Sequence, residues 1–174
     1  AKILFAEAKE NNLGDKALAE RWARWWNCSL CEQDYHGVVR CALGWACWKT
    51  YLGRLETDQV RHMAMGTLGT GLHDAGHYED ALSVQEANLS MLRRLGAPEH
   101  AIIIAQTCLA NTYFALGRDE EALSMQRDVY SGRLKLDGEE HPQTLLAANN
   151  YANSLTALER FEETRSLLRK TIPV

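Results

Sequence analysis

The sequence is short of several things at once. No apolar run approaches the ~20 residues that a membrane-spanning helix needs. There are only three prolines and three phenylalanines in 174 residues, and acids outnumber bases, 23 to 19, for a net charge of −4. The scarcity of proline leaves long uninterrupted stretches, favouring helices over many short strands. The mild acidity offers no electrostatic footprint for nucleic acid or an anionic membrane, so neither is expected as a partner. A Gly-rich phosphate loop, a nucleophile elbow and an asymmetric pair of carboxylates are all missing. No enzyme activity and no cofactor are therefore expected. The start, Ala1-Lys2-Ile3-Leu4-Phe5, carries neither an initiator Met nor a signal-peptide layout, and reads as the edge of a longer chain. Five cysteines, an odd number without a secretory signal, point to reduced thiols and a cytoplasmic setting. What remains is an ordinary globular composition, 46% hydrophobic and 24% charged.

That composition is arranged periodically. The segment Leu68-Gly69-Thr70-Gly71-Leu72-His73-Asp74-Ala75-Gly76 returns 41 residues later as Leu109-Ala110-Asn111-Thr112-Tyr113-Phe114-Ala115-Leu116-Gly117. It returns again after a further 42 as Tyr151-Ala152-Asn153-Ser154-Leu155-Thr156-Ala157-Leu158-Glu159. An acidic start and a small-plus-Leu pair follow the first two copies, Glu79-Asp80-Ala81-Leu82 and Glu120-Glu121-Ala122-Leu123. In the third copy Thr164-Arg165 takes the pair's place, which predicts looser packing. Each unit reads as helix A, a turn at Gly, helix B and a loop. The apolar stripes Ala81, Leu82, Leu89, Leu92 and Ala122, Leu123, Val129, Tyr130 have helical spacing. Gly132 falls inside a predicted helix, where Gly costs ~1 kcal/mol against Ala, and nothing in the sequence explains it.

Further upstream the interval from Ala17-Leu18 to His36 equals those from Ala81 to His100 and Ala122 to His141. The N-terminal third is thus expected to be a diverged unit in the same frame. Gly53 to Gly76 is too short for a full period, which predicts a helix near 38–52 running through a Gly53–Asp58 loop into one near 59–75. The expected fold is all-α, an α-solenoid of antiparallel helix pairs. Residues 1–58 would be a divergent Trp/Cys-rich repeat or cap, followed by repeats over 59–174 with units near 59–100, 101–142 and 143–174.

The pattern Leu109-Ala110-x-x-Tyr113, Gly117, Ala122 resembles the tetratricopeptide signature. The loops Leu95-Gly96-Ala97-Pro98-Glu99-His100 and Leu136-Asp137-Gly138-Glu139-Glu140-His141-Pro142, with Ala148-Asn149-Asn150-Tyr151-Ala152 after the second, resemble the kinesin-light-chain type of that repeat. The resemblance covers roughly residues 62–172. A repeat array of this kind stopping at Val174 without a polar capping helix would be expected to recruit a further repeat, a partner or a second copy through its C-terminal end.

Three chemical constellations stand against plainer readings. Cys28-Ser29-Leu30-Cys31, with Cys41 and Cys47, has the thiols of a zinc site, and the alternative function is a zinc-stabilised module over 28–47 joined to repeats as an adaptor. The repeat frame instead places Cys28 and Cys31 where Leu92 and Leu95 fall, on a buried helical stripe, with Cys41 and Cys47 on a helix A. Thioredoxin-type redox chemistry would need a βαβ context, and none is visible. Trp22, Trp25 and Trp26 are spaced along one predicted helix and Trp45 and Trp48 along the next, so packed rings outweigh a stacking platform for single-stranded nucleic acid. His73 and His77 are separated by a helix-breaking Gly76. The recurring His36, His100 and His141 suggest a loop-to-helix contact.

Helical pairs of this type leave a surface lined by the helix A residues that do not face helix B. In the repeat frame these are Met63, Thr70 and His73; Ile104, Thr107, Asn111 and Phe114; and Leu146, Asn149, Asn153 and Thr156. A carboxamide both donates and accepts hydrogen bonds, so a column of Asn can hold the backbone of an extended peptide whatever its sequence. The resemblance to kinesin-light-chain-like repeats implies that role for Asn111, Asn149 and Asn153. Solvation, or bridging between helices, is the plainer reading of these Asn residues. Met63, Ile104 and Phe114 would offer pockets for apolar groups. The function expected is a non-catalytic scaffold that binds a peptide segment of another protein, with a piece of a larger array as a further alternative.

Overall fold

A computed structural model describes residues 1–171. Its elements, among the described residues, are α1 (Lys2–Glu10), α2 (Asp15–Trp22), a short 3-10 turn (Ala23–Trp25), α3 (Gly37–Tyr51), α4 (Gln59–Asp74), α5 (Tyr78–Arg94), α6 (Glu99–Ala115), α7 (Asp119–Asp137), α8 (Pro142–Ala157) and α9 (Phe161–Thr171). The expected helix near 38–52, the loop to Asp58 and the helix near 59–75 are all present. Contacts divide the chain into two compact units, Ala1–Val84 and Gln85–Val174. Val174, where the uncapped end was expected, lies outside the described residues.

The turns follow from backbone chemistry. Gly76 and Gly117, at φ +80° and +69°, end α4 and α6 in the left-handed region that costs glycine nothing. At the equivalent place after α8 the chain carries Glu159 at φ +57°, a conformation costing an L-residue ~1–2 kcal/mol. Replacing this exposed side chain, Glu159→Gly, is therefore expected to stabilise the α8–α9 hairpin by ~0.5–1 kcal/mol, read as a raised denaturation midpoint. Acidic residues begin α5, α7 and α9, and basic residues close them, each complementing the macrodipole. His141 caps α8, its Nδ1 accepting from the Gln143 N–H at 3.2 Å. His36 precedes α3 without a side-chain cap bond, and His100 lies within α6, so the recurrent His position has no common contact.

The first unit is built around aromatic rings. Phe5, Trp22, Trp25 and Tyr51 form one core with Cys47, Val60 and Ala64. Ring centroids lie 4.9 Å apart for Phe5–Trp22 and 5.4 Å for Trp22–Tyr51. The three N-terminal tryptophans do not share one regular helix, as their spacing had suggested. The chain tightens into the 3-10 turn after Trp22, which turns Trp25 against Tyr51 at 6.2 Å. Trp48 packs inward, but Trp45 is 43% exposed and does not. The α3–α4 crossing is made backbone to backbone. A Cβ at Gly71 would lie 2.8 Å from the Arg40 carbonyl oxygen and 3.1 Å from the Cys41 Cα; one at Gly44 would lie 3.1 Å from the Leu68 Cα.

In the second unit the residues equivalent to Gly71 are Thr112 and Ser154, both buried. Small side chains thus recur at this position of helix A. The Thr112 hydroxyl donates to Gln85 Oε1 at 2.7 Å, satisfying a polar pair that would be costly to bury unmet. Leu123, Ala152, Leu155 and Leu167 form the core joining α7, α8 and α9. Thr164 is half-buried and Arg165 exposed where other repeats carry small-plus-Leu, and Leu167 takes over the apolar anchoring.

The structure also accounts for Gly132. A Cβ there would meet Ile103 Cδ1 at 2.6 Å and Cγ1 at 3.1 Å, and Ile103 is fully buried. The helix accepts ~1 kcal/mol of lost propensity to seat that side chain. Gly132→Ala alone is expected to lower stability, and Ile103→Val alone to cost ~0.5–1.5 kcal/mol. The double variant, in which the new methyl occupies space vacated by Cδ1, is expected to be more stable than the two losses summed, by ~1 kcal/mol. Urea denaturation of the four proteins measures this coupling.

Candidate functional site

The sequence-predicted positions fall into two groups. Ile104, Thr107, Asn111 and Phe114 lie on α6, and Leu146, Asn149, Asn153 and Thr156 lie on α8, at matching offsets along each helix. Successive steps of three, four and three residues keep each set on one face. That face is turned to solvent: Ile104 is 52% exposed, Phe114 46% and Leu146 54%. Asn111, Asn149, Asn153 and Thr156 are also exposed and Thr107 half-buried. The intervening positions Ile103, Leu109, Ala110, Ala147, Ala148 and Leu155 are buried. The exposed apolar residues are thus what is left when the other side of helix A has been spent on the core.

Two features shape this face. Gln126 on α7 is buried, and its Nε2 donates to Asn111 Oδ1 at 3.3 Å. The Asn111 carbonyl is engaged by its own fold, which turns the amide N–H groups away from Gln126. The bridging role weighed for these Asn residues thus applies at Asn111 and is compatible with binding. Beside it, Ile104, Thr107, Val129, Leu146, Ala147 and Asn150 line a shallow pocket of about 170 Å³. Arg133 borders that pocket, its guanidinium 3.1 Å from the Asp137 carboxylate. Asn150 and Arg133 had not been singled out in the sequence. Asn150 sits one step off the Asn149 face in the helical period, and Arg133 belongs to a helix B.

Met63, Thr70 and His73 belong to α4 in the first unit. Met63 packs against the aromatic core. The Thr70 hydroxyl donates to the Gly66 carbonyl at 3.1 Å. His73 is half-buried and meets the Tyr78 ring edge-on at 5.2 Å. Burial holds its imidazole below the ordinary value against the opposing pull of Asp74.

The cysteines differ in part from the helical frame read for them. Cys47 is fully buried in α3, and burial pushes its thiol up to about 12. Cys41 is half-buried on the same helix. Cys28 and Cys31 are not on a helical stripe at all: they lie in a turn after the 3-10 segment, Cys28 half-buried and Cys31 exposed. Among the described residues no group of three or more His, Cys, Asp or Glu side chains is placed to hold a metal. Cys28, Cys31, Cys41 and Cys47 form no such group among the described residues. No helix among the described residues is long and apolar enough to cross a membrane.

A fold of paired helices repeating at about forty residues, with small residues at the crossings and a helix A face left exposed, defines a helical-repeat scaffold of the α-solenoid class. The profile of the tetratricopeptide repeat matches residues 60–134 and again 101–174. The chain belongs to the tetratricopeptide repeat family, and its repeats make it a protein-interaction scaffold. Its fold is that of kinesin-light-chain-like repeats. A putative kinesin light chain of Podosopora anserina with nearly identical TPR-like repeats superposes with a TM-score of 0.60 at 17% identity, over 97% of this chain and 90% of that one. The BtubC (BKLC) protein of P. vanneervenii gives 0.62 at 17% identity over 76% of this chain, but the match spans only 54% of BtubC. A Rap protein, solved in complex with Competence and Sporulation Factor, gives 0.68 at 14% identity over 97% of this chain and 46% of the Rap protein. At these identities the likeness is one of fold. No curated protein shows a significant match to the sequence.

Proposed function

We propose that the helix A face of the second unit binds an extended peptide segment of a partner protein, without catalysis. The observation that carries this reading is the registered exposure of Ile104, Asn111 and Phe114 on α6 with Leu146, Asn153 and Thr156 on α8. Carboxamides recur at one level, and apolar side chains flank them. The Asn amides hold the ligand backbone, and the pocket beside Ile104 and Leu146 takes one apolar side chain. A fold neighbour solved with a bound factor supports binding as the use of such a surface. A photo-crosslinking residue at Phe114 tests it against the same residue at Phe161, which is somewhat more exposed (56%) at the start of α9. The face predicts partner capture at Phe114 and none at Phe161; equal capture at both would contradict it.

A further inference from the structure

The loop between the 3-10 turn and α3 has a defined shape of its own. The Cys28 N–H donates to the Gln33 carbonyl at 2.9 Å, the Glu32 N–H to the Cys28 carbonyl at 3.1 Å, and the Tyr35 N–H to the Trp26 carbonyl at 2.7 Å. Asn27 bridges to Asp34, and its side-chain amide donates to the Glu32 carbonyl at 2.7 Å. Arg24 donates to the Cys28 carbonyl at 3.3 Å, and Arg40 pairs with Asp34 at 3.6 Å. The Glu32-to-Cys28 bond makes residues 28–32 a single helix-like turn closed by Glu32 at φ +58°. Residues three apart in such a turn have Cα atoms about 5 Å apart, inside the range a disulfide bridges, and Cβ atoms ~5–6 Å apart that close by ~1–2 Å when the bond forms. Leu30, at the tip, is 93% exposed, so reagents reach the turn.

The backbone at Cys31 and Leu30, the Cys31 thiol and the Tyr35 hydroxyl lie about the Cys28 thiol and favour its ionised form. Together they hold the Cys28 thiol down to about 7 from 9.0, and Tyr35 is correspondingly raised because its proton is used in the bond to Cys28. Tertiary packing does not demand this arrangement, since neither sulfur is in the core.

We propose that Cys28 and Cys31 form a reversible thiol–disulfide switch, oxidised by a low-molecular-weight disulfide such as oxidised glutathione. The Cys28 thiolate attacks one sulfur of the reagent, forming a mixed disulfide and releasing one glutathione thiolate. The Cys31 thiol gives its proton to water and attacks the Cys28 sulfur, forming the Cys28–Cys31 bond and releasing the second thiolate. Two electrons pass from the protein dithiol to the reagent, and excess thiol reverses both steps. No thioredoxin fold is required, because the second thiol is already in the turn that activates the first.

At pH 7 the activated thiol is about fifty-fold more ionised than an ordinary one at 9.0, while its lower basicity reduces intrinsic reactivity about six- to ten-fold. A net advantage of roughly five-fold or more is expected. The full chain is reduced, treated with oxidised glutathione at pH 7, quenched with acid and peptide-mapped over time. The expected result is an intramolecular Cys28–Cys31 disulfide, reversed by dithiothreitol. Cys31→Ser is expected to accumulate a glutathione mixed disulfide on Cys28 about five-fold faster than on Cys41, half-buried in the same chain. Tyr35→Phe, with unchanged helicity, is expected to narrow that margin. Oxidation of Cys28 no faster than Cys41 in the Cys31→Ser chain, or disulfides formed only between chains, would overturn the proposal. Cys41 is an internal standard, so a variant that unfolds reveals itself by reacting at every thiol.

Discussion

Gly71→Ala is expected to destabilise the first unit by about 2 kcal/mol, although alanine is the better helix former. Propensity alone would favour the substitution by ~1 kcal/mol. Against that, the new methyl would sit 2.8 Å from the Arg40 carbonyl oxygen and 3.1 Å from the Cys41 Cα. Backbone atoms, unlike the tip of a flexible side chain, give way only if the whole of α3 moves. Within α3, Cys47 is fully buried, and the last residue, Tyr51, is locked among Trp22 and Trp25. Overpacking a close crossing costs ~1–3 kcal/mol or more, and here the clash outweighs the propensity gain. All five tryptophans lie in the first 48 residues, so tryptophan fluorescence during urea denaturation reports this unit specifically. Gly53→Ala, where a Cβ meets nothing within 4 Å, is the control and is expected to stay within ~0.5 kcal/mol of the wild type. Equal stability for Gly71→Ala would mean the helices do not cross so closely.

Gly71 and Gly132 mark the boundary between what the sequence could and could not reveal. Repeat period, helix polarity and the turns at Gly76 and Gly117 were readable because each is a local property: spacing of apolar residues, charge at helix ends, tolerance of positive φ. The reasons for Gly71 and Gly132 were not, because each answers to a neighbour that is distant in sequence, Arg40 in one case and Ile103 in the other. The N-terminal third failed differently. Ala23-Arg24-Trp25-Trp26 contains no breaker, so period alone extended the helix and put Cys28 and Cys31 on its buried side. Packing of Trp25 against Tyr51 overrides that propensity, and the chain leaves the helix just before the cysteines. On the candidate face, the eight positions on α6 and α8 followed from the repeat frame, whereas the hydrogen bond from Gln126 that orients Asn111 depends on how α7 packs. Trp45 had all the marks of a core residue and is exposed.

Removing the carboxamides together, Asn111→Ala, Asn149→Ala and Asn153→Ala, is expected to abolish most peptide affinity while leaving the fold intact. Each Asn that holds a ligand backbone group contributes ~0.5–1.5 kcal/mol net, so three represent roughly 1.5–4.5 kcal/mol, or about ten- to two-thousand-fold in Kd. All three side chains are exposed, and alanine is the better helix former, so little stability is lost with them. Asn111 is the exception in one respect: its removal leaves the buried Gln126 amide without the partner it has at 3.3 Å, at a cost of ~1 kcal/mol or more. The variant is therefore expected to melt slightly lower but to keep its helicity.

The most direct measurement is the affinity of the segment captured at Phe114, determined by calorimetry for the wild type and this triple variant side by side, with circular dichroism on both. A Kd weakened at least about ten-fold at matched helicity is the result expected if the Asn face holds the ligand backbone. Equal affinity in the two proteins would contradict it and place recognition elsewhere on the chain.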